Sequence, residues 1–145
     1  MNRNEIVPKA QWRAQRLQLL AAEKNAMRQL DEVTRLRREM PWVRLESDYV
    51  FDAEDGEQRL SDLFGPHSQL ILYHFMYGPD WDEGCLGCSF VCDHFDGANL
   101  HLSNHDVSLV CVSRAELDTF LPFKQRMGWK FPWVSSANNA FNFDF

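Results

Sequence analysis

Apolar residues along this chain change their spacing at Pro41. Before it they recur loosely at helical intervals, as Trp12, Leu19, Leu20, Met27, Leu30, Val33, Leu36 and Met40, set among Ala, Gln, Arg and Glu without a glycine. That pattern predicts one long helix over 8–40, with Pro8 suited to its first turn and Pro41 stopping it. Arg and Gln interrupt the stripe and keep it narrow, so the helix must pack on something, either the rest of the chain or a partner.

After Pro41 the pattern shortens. Residues 43–51 contain strand formers, and Ala53-Glu54-Asp55-Gly56 supplies an Asp-Gly hairpin turn, with 58–60 as the returning strand. Ser61-Asp62-Leu63-Phe64-Gly65-Pro66 reads as a short capped turn ended by Gly-Pro. Residues 69–77 are apolar on both faces, Leu70, Leu72, His74 and Met76 on one and Ile71, Tyr73, Phe75 and Tyr77 on the other. Two apolar faces predict a central strand covered on both sides, as in parallel α/β sheets, with His74 a hydrogen-bonded core histidine.

The cysteine-containing stretch that follows is helix-compatible to about Phe95, where Asp96-Gly97 should end it. A second buried strand is expected over 107–112 and a helix over 116–127 ended by Gly128, with Pro122 kinking it or delaying its start. Residues 131–135 complete a βαβαβ order, which right-handed crossovers build into a parallel sheet. The fold class expected is therefore α/β, with a helical extension over 1–40 and one domain over 41–145.

Bulk properties narrow the function. At 145 residues the chain has room for one domain, which buries roughly 68–70% of its unfolded surface. No run reaches the ~18 apolar residues of a membrane span. The charged N-terminus lacks the apolar core of an export signal, so the expected location is cytoplasmic and no membrane partner is expected. Net charge is −6, unevenly placed: 1–40 carry nine Lys and Arg against five Asp and Glu, and 41–145 carry six against sixteen. The acidic part would repel phosphates, which argues against nucleic acid. Opposite charge instead favours docking of the helix on its own domain or on a second subunit, a homodimer through the N-terminal helix.

Four cysteines in a cytosolic chain are not a structural disulfide framework. Cys85, Cys88 and Cys92 lie within eight residues, which favours redox or metal chemistry. Cys85-Leu86-Gly87-Cys88 follows a buried strand and opens a helix, and two intervening residues let the sulfurs meet across the first turn. Free N–H groups and the positive end of the helix dipole stabilise a thiolate there. Cys85 is then the nucleophile, Cys88 the more buried resolving thiol, and the reaction thiol–disulfide exchange through a mixed disulfide.

Asp80, Asp82 and Glu83 precede the pair with no Lys or Arg near in sequence, which opposes the thiolate and predicts a reducing or mildly poised couple. Cys92, four residues past Cys88, reads as a core residue, a reserve resolving thiol, or a third metal ligand with His94, His101 or His105. Cys111 reads as core. Asp93, a turn beyond Cys88, is a candidate proton relay, and Asp106 a further acidic candidate. His67, His101 and His105 read as surface or capping residues.

Several stretches carry a resemblance: Pro41-Trp42-Val43, Asp48-Tyr49-Val50-Phe51, Leu60-Ser61-Asp62-Leu63-Phe64, Tyr73-His74-Phe75-Met76, Gly78-Pro79-Asp80-Trp81, Cys88-Ser89-Phe90, Arg126-Met127-Gly128-Trp129 and Phe131-Pro132-Trp133-Val134-Ser135-Ser136. Together they resemble a bacterial thioredoxin-like family, on the peroxiredoxin-like branch of that fold, whose members are regarded as dithiol–disulfide oxidoreductases on the strength of their cysteines. The resemblance spans about 12–145 and implies a thioredoxin-like three-layer fold, a catalytic pair at Cys85 and Cys88, and auxiliary positions at Cys92, Asp93 and Trp81.

The chain departs from the family at Leu86-Gly87, Cys92, His105 and Asn139-Ala140. The family continues past the position of Phe145 with its last strands and a cis-proline loop facing the dithiol. The resemblance therefore implies a sheet incomplete at its C-terminal end, with an unpaired strand edge.

The leading expectation is thus a dithiol oxidoreductase acting on a protein or small-molecule disulfide, with no cofactor. Peroxide reduction is a lesser variant, because no Pro-x-x-x-Thr-x-x-Cys run is present. The alternatives are a non-catalytic binding or dimerisation module and a metal-holding protein using Cys85, Cys88 and Cys92.

Overall fold

The computed structural model describes residues 5–145, which form a helical unit ending at Arg44 and an α/β unit, Leu45–Phe145. In the first unit α1 (Lys9–Glu39) starts after Pro8, whose carbonyl accepts the Trp12 N–H at 3.0 Å. Met40 turns extended ahead of Pro41 and ends it. Arg35 pairs with Glu32 one turn before it, at 2.7 Å, and with Glu39 one turn after.

The second unit opens with a hairpin of β1 (Val50–Ala53) and β2 (Gly56–Arg59). Ala53 faces Gly56 across a Glu54-Asp55 turn, and Gly56 takes a φ of 107° that a side chain would strain. The first strand is shorter and later than the apolar pattern of 43–51 predicts, because pairing starts only where a partner strand lies alongside. A 3₁₀ turn (Asp62–Phe64) then leads to β3 (Gln69–His74). The remaining elements are α2 (Leu86–Cys92), α3 (Phe95–Asn104), β4 (Val107–Ser113), α4 (Leu117–Met127), β5 (Trp133–Ser135) and α5 (Phe141–Asp144).

The sheet runs β2-β1-β5-β4-β3. β3 and β4 are parallel from Gln69 opposite Val107 to His74 opposite Val112, and β4 and β5 are parallel from Cys111 opposite Trp133. β1 joins antiparallel to β5 through Asp52 and Ser135. This mixed α/β sheet, with the helix that carries Cys88 and Cys92 in the crossover between the parallel strands β3 and β4, has the strand–helix–strand unit of a thioredoxin-like fold.

Three local expectations are corrected. Among the described residues β3 pairs with β4 alone, so it is an edge strand, and Ile71 stays 43% exposed. His74 is likewise an exposed residue, stacked at 5.3 Å over Phe141. Asp96-Gly97 does not end a helix but lies in the first turn of α3. The break comes earlier, at Asp93-His94, and the Asp96 carboxylate accepts from the backbone N–H groups of Lys130 and Phe131. Pro122 lies inside α4, which ends at Gly128 with φ 76°.

Each face of the sheet has its own core. Val110, Val112 and Val134 face Tyr49, Phe51, Leu63 and Phe141. On the other face Cys111 and Trp133 meet Phe75, Phe120, Phe123, Trp129 and Phe131, together with Cys88 and Cys92 of α2. Trp133 stacks on Phe120 at 4.9 Å, and its indole N–H donates to the Ser113 hydroxyl at 3.0 Å, so the largest core residue leaves no polar atom unpaired. This aromatic wall is the floor on which the cysteine helix rests.

Candidate functional site at the start of the cysteine helix

β3 delivers the chain to the site. Past His74 the Phe75 N–H still donates to the Val112 carbonyl at 2.9 Å, so the parallel pairing continues beyond the assigned strand. The loop of 78–84 then folds back, and the Cys85 N–H donates to the Met76 carbonyl at 3.0 Å. Tyr77 braces this loop by donating its buried phenol to the Asp82 carbonyl at 3.2 Å. Gly84 allows the return: a Cβ there would lie 2.5 Å from Cε1 of Phe75.

Cys85 is the residue before α2, with its backbone still extended at ψ 127°. Its carbonyl accepts from both the N–H and the hydroxyl of Ser89, each at 2.9 Å, which seats the first turn. The Cys85 sulfur is partly exposed, while Cys88 is 7% exposed. The Cys85 thiol is held below the ordinary cysteine pKa chiefly by the backbone N–H of Cys88. Burial opposes this, and the Cys88 side chain and the Gly87 N–H add to the lowering. The acidic run ahead of the pair therefore does not set the sign. One of its members, Glu83, is paired at 3.0 Å with Arg126 of α4, a cation that sequence proximity gives no hint of.

Cys88 points inward beside Tyr73, whose hydroxyl pKa is raised, first by burial and then by its interaction with the Cys88 thiol. Cys92 and Cys111 are both fully buried, with sulfurs 3.8 Å apart. The structure thus brings all four thiols to one region of one face, and all are free. Among the described residues no three His, Cys, Asp or Glu side chains converge as metal ligands would. His94 lies against the Phe90 ring instead.

The Asp93 carboxylate accepts the Trp129 indole N–H at 2.9 Å, which ties the end of α2 to the aromatic wall. Asp106 lies at the opposite end of β3 and β4 from the cysteines and binds Ser68, so it belongs to the scaffold. Trp81 is 47% exposed and lies close against Gly78. It lines a cleft of about 400 Å³ with His74, Met76, Pro79, Arg114 and Asn142, at the carboxyl ends of β3 and β4. Cys85 itself does not line this cleft; the loop from it leads to Cys85.

Sequence reasoning missed Tyr73, Trp129 and Arg126. Tyr73 shares the Ile71 and Phe75 face in the sequence pattern, but its place opposite Cys111 is set by the β3–β4 register, which the pattern does not carry.

The chain is matched over residues 1–145 by the model of DUF899, described as a bacterial protein of unknown function, and it belongs to that family. Among solved structures it is similar to a yeast mitochondrial 1-Cys peroxiredoxin, studied for thiol resolution through the glutathione and thioredoxin systems. Identity there is 20% and the TM-score 0.49, with 71% of this chain and 51% of that chain covered. It is also similar to a proposed protein disulfide isomerase from Bacteroides thetaiotaomicron, at 19% identity and a TM-score of 0.46, with 67% of this chain and 58% of that chain covered. The chain spans about half the length of the first and less than two thirds of the second. No curated protein matches it.

Proposed function

We propose that this DUF899 chain is a thiol–disulfide oxidoreductase in which Cys85 is the nucleophile and Cys88 the resolving thiol. The observation that carries the reading is the placement of a partly exposed Cys85 directly before α2, three residues ahead of the buried Cys88, where the backbone amides of Cys88 and Gly87 lower its thiol pKa. Those amides stabilise negative charge on Cys85 without a lysine or arginine.

The Cys85 thiolate attacks one sulfur of a substrate disulfide. A Cys85–substrate bond forms, the substrate S–S bond breaks, and the departing sulfur takes up a proton. Cys88 then gives up its proton and attacks Cys85, the mixed disulfide breaks, and the second substrate thiol leaves. Two electrons have moved from the dithiol to the substrate, all on sulfur, so no cofactor is required. Run backwards, the same steps donate a disulfide.

The substrate is a protein or small-molecule disulfide that approaches along the cleft beside the 78–84 loop, where Trp81 offers an apolar surface and Arg114 a cation. Trp81 is an auxiliary binding residue in this reading, and Asp93 acts by holding the end of α2 rather than by touching sulfur. Four free thiols suit a reducing compartment such as the cytoplasm. No described helix is long and apolar enough to cross a membrane. The apolar stripe of α1 is assigned to a homodimer contact, and a monomer by sedimentation would remove that part alone.

The test is the pH dependence of Cys85 alkylation in the folded chain. A midpoint below ~8.5 is expected, and one at or above it overturns the proposal. Excess oxidised glutathione should also crosslink Cys85 to Cys88 in peptide maps, a link that Cys85→Ser abolishes.

A further inference from the structure

The two deepest thiols have no part in that reaction. Cys92 lies one helical turn beyond Cys88, and Cys111 is in the middle of β4. Both are fully buried, and their sulfurs are in contact at 3.8 Å. Tyr73, register partner of Cys111, stands beside the same cluster and interacts with Cys88. Cys88, Cys92 and Cys111 therefore share one packed cluster, with the partly exposed Cys85 against its outer side. Two buried small apolar side chains would fill the same space; what two thiols in contact add is the capacity to lose two electrons together.

We propose that Cys92 and Cys111 are a second, internal dithiol couple that takes over the disulfide formed at Cys85 and Cys88, so that one chain stores four electrons. This rests on the surface reaction proposed above, with a protein or small-molecule disulfide as oxidant. Once a substrate disulfide has oxidised the outer pair, Cys92 gives up its proton and attacks Cys88. The Cys88–Cys92 bond forms, the Cys85–Cys88 bond breaks, and Cys85 leaves as a thiolate that takes up the proton. Cys111 then attacks Cys92; the Cys92–Cys111 bond forms, the Cys88–Cys92 bond breaks, and the proton of Cys111 passes to Cys88. The outer pair is again a dithiol, the inner pair a disulfide, and a second substrate disulfide can be reduced.

Geometry and chemistry both drive the disulfide inward. Residues four apart on a helix hold their Cβ atoms about 5–6 Å apart, against about 3.8 Å in a relaxed disulfide, so the Cys88–Cys92 bridge is strained and short-lived. The Cys92 and Cys111 sulfurs need to close by roughly 1.8 Å to reach bonding distance. Cys85, stabilised as a thiolate by helix amides, is the better leaving group. Cys111 is the reverse: burial pushes its thiol far up, and contact with Cys92 adds to this, so its sulfur is held better in a disulfide than as a thiolate.

The experiment treats the folded full chain with excess oxidised glutathione, blocks remaining thiols under denaturing conditions, and reads intact mass and crosslinked peptides. Loss of four hydrogens is expected, with Cys85–Cys88 and Cys92–Cys111 links. Cys92→Ala and Cys111→Val should each cut the loss to two, and Cys85→Ser should leave the inner pair reduced because its entrance is closed. Circular dichroism identifies any variant that fails to fold, and the wild-type result stands without the variants. Loss of two hydrogens confined to Cys85–Cys88, with Cys92 and Cys111 both blocked, overturns the inner couple and leaves the surface reaction standing. An inner link that forms at the wild-type rate in Cys85→Ser overturns the handover, and absence of every link overturns both proposals.

Discussion

Gly84 lies so close to the ring of Phe75 that a Cβ on it would stand 2.5 Å from Cε1 and 2.9 Å from Cζ, with Phe123 at 3.1 Å. Phe75 is 2% exposed and wedged among Phe123, Trp129 and Trp133, so the ring has nowhere to retreat. The residue that must give is Gly84, and Cys85 is bonded to it. The aromatic wall thereby fixes where Cys85 stands.

Gly84→Ala should destabilise the fold by about 1–3 kcal/mol, the usual cost of forcing a methyl into a packed interior. It should also raise the apparent pKa of Cys85, because the loop displacement draws its sulfur off the Cys88 N–H. Urea denaturation and alkylation against pH measure the two effects separately. An unchanged alkylation profile would mean that the loop, and not the Phe75 contact, positions Cys85.

Asp93 and Trp129 make a second joint, between the end of α2 and the segment after α4. Asp93→Ala should cost about 1–2 kcal/mol through loss of a charge-assisted hydrogen bond from a buried indole. The pH profile of Cys85 alkylation should not move. A shifted profile, or a slower resolving step at unchanged stability, would support a proton-relay role for Asp93.

Lys124 is nearly buried, its side chain 11% exposed, and it meets Glu54 of the hairpin turn. Glu54→Ala leaves that ammonium without its partner and should destabilise by about 1–3 kcal/mol. Glu54→Gln keeps an acceptor and should recover part of the loss. Paired urea curves at neutral pH read both.

Asp106 links the ends of β3 and β4 by accepting the Ser68 N–H at 2.9 Å and the Ser68 hydroxyl. Hydrogen bonds from the Ser68 hydroxyl and then its N–H hold the Asp106 carboxyl below its ordinary value, with His67 adding to them. A lowered folded-state pKa means the stabilisation is complete above the ordinary carboxylate range of about 4 and is lost as pH falls through the folded value. Asp106→Asn, which tolerates the φ of 62° found there, should therefore flatten the acid limb of stability between pH 5 and pH 2. An acid limb identical to wild type would show that other carboxylates carry it.

The place of Cys85 and Cys88 at a helix start was legible in the chain because its signals are local. A strand pattern, a turn and a Cys-x-x-Cys run suffice to put Cys85 at a helix start, and α1, the Asp-Gly hairpin turn and the Gly128 stop come from equally short windows. Even there, neighbours outside the window changed the outcome. Asp96 reads as a helix stop by composition, yet it serves Lys130 and Phe131, more than thirty residues on. The acidic run before Cys85 reads as hostile to a thiolate, yet the backbone amide of Cys88 sets the direction of the Cys85 shift, and Glu83 is paired with Arg126.

What only tertiary structure decided was register and packing. Residue spacing says that Cys111 and Tyr73 lie on buried strands, but not that they sit opposite one another. It says that Cys92 is a turn below Cys88, but not that its sulfur touches that of Cys111. It made β3 central from two apolar faces, whereas pairing leaves it at the edge. The physical reason is common to all three. Backbone propensity and capping act over a few residues and can be read along the chain. Which strands pair, in what register, and which side chains then meet depends on contacts between residues tens of positions apart, settled only when the whole core closes.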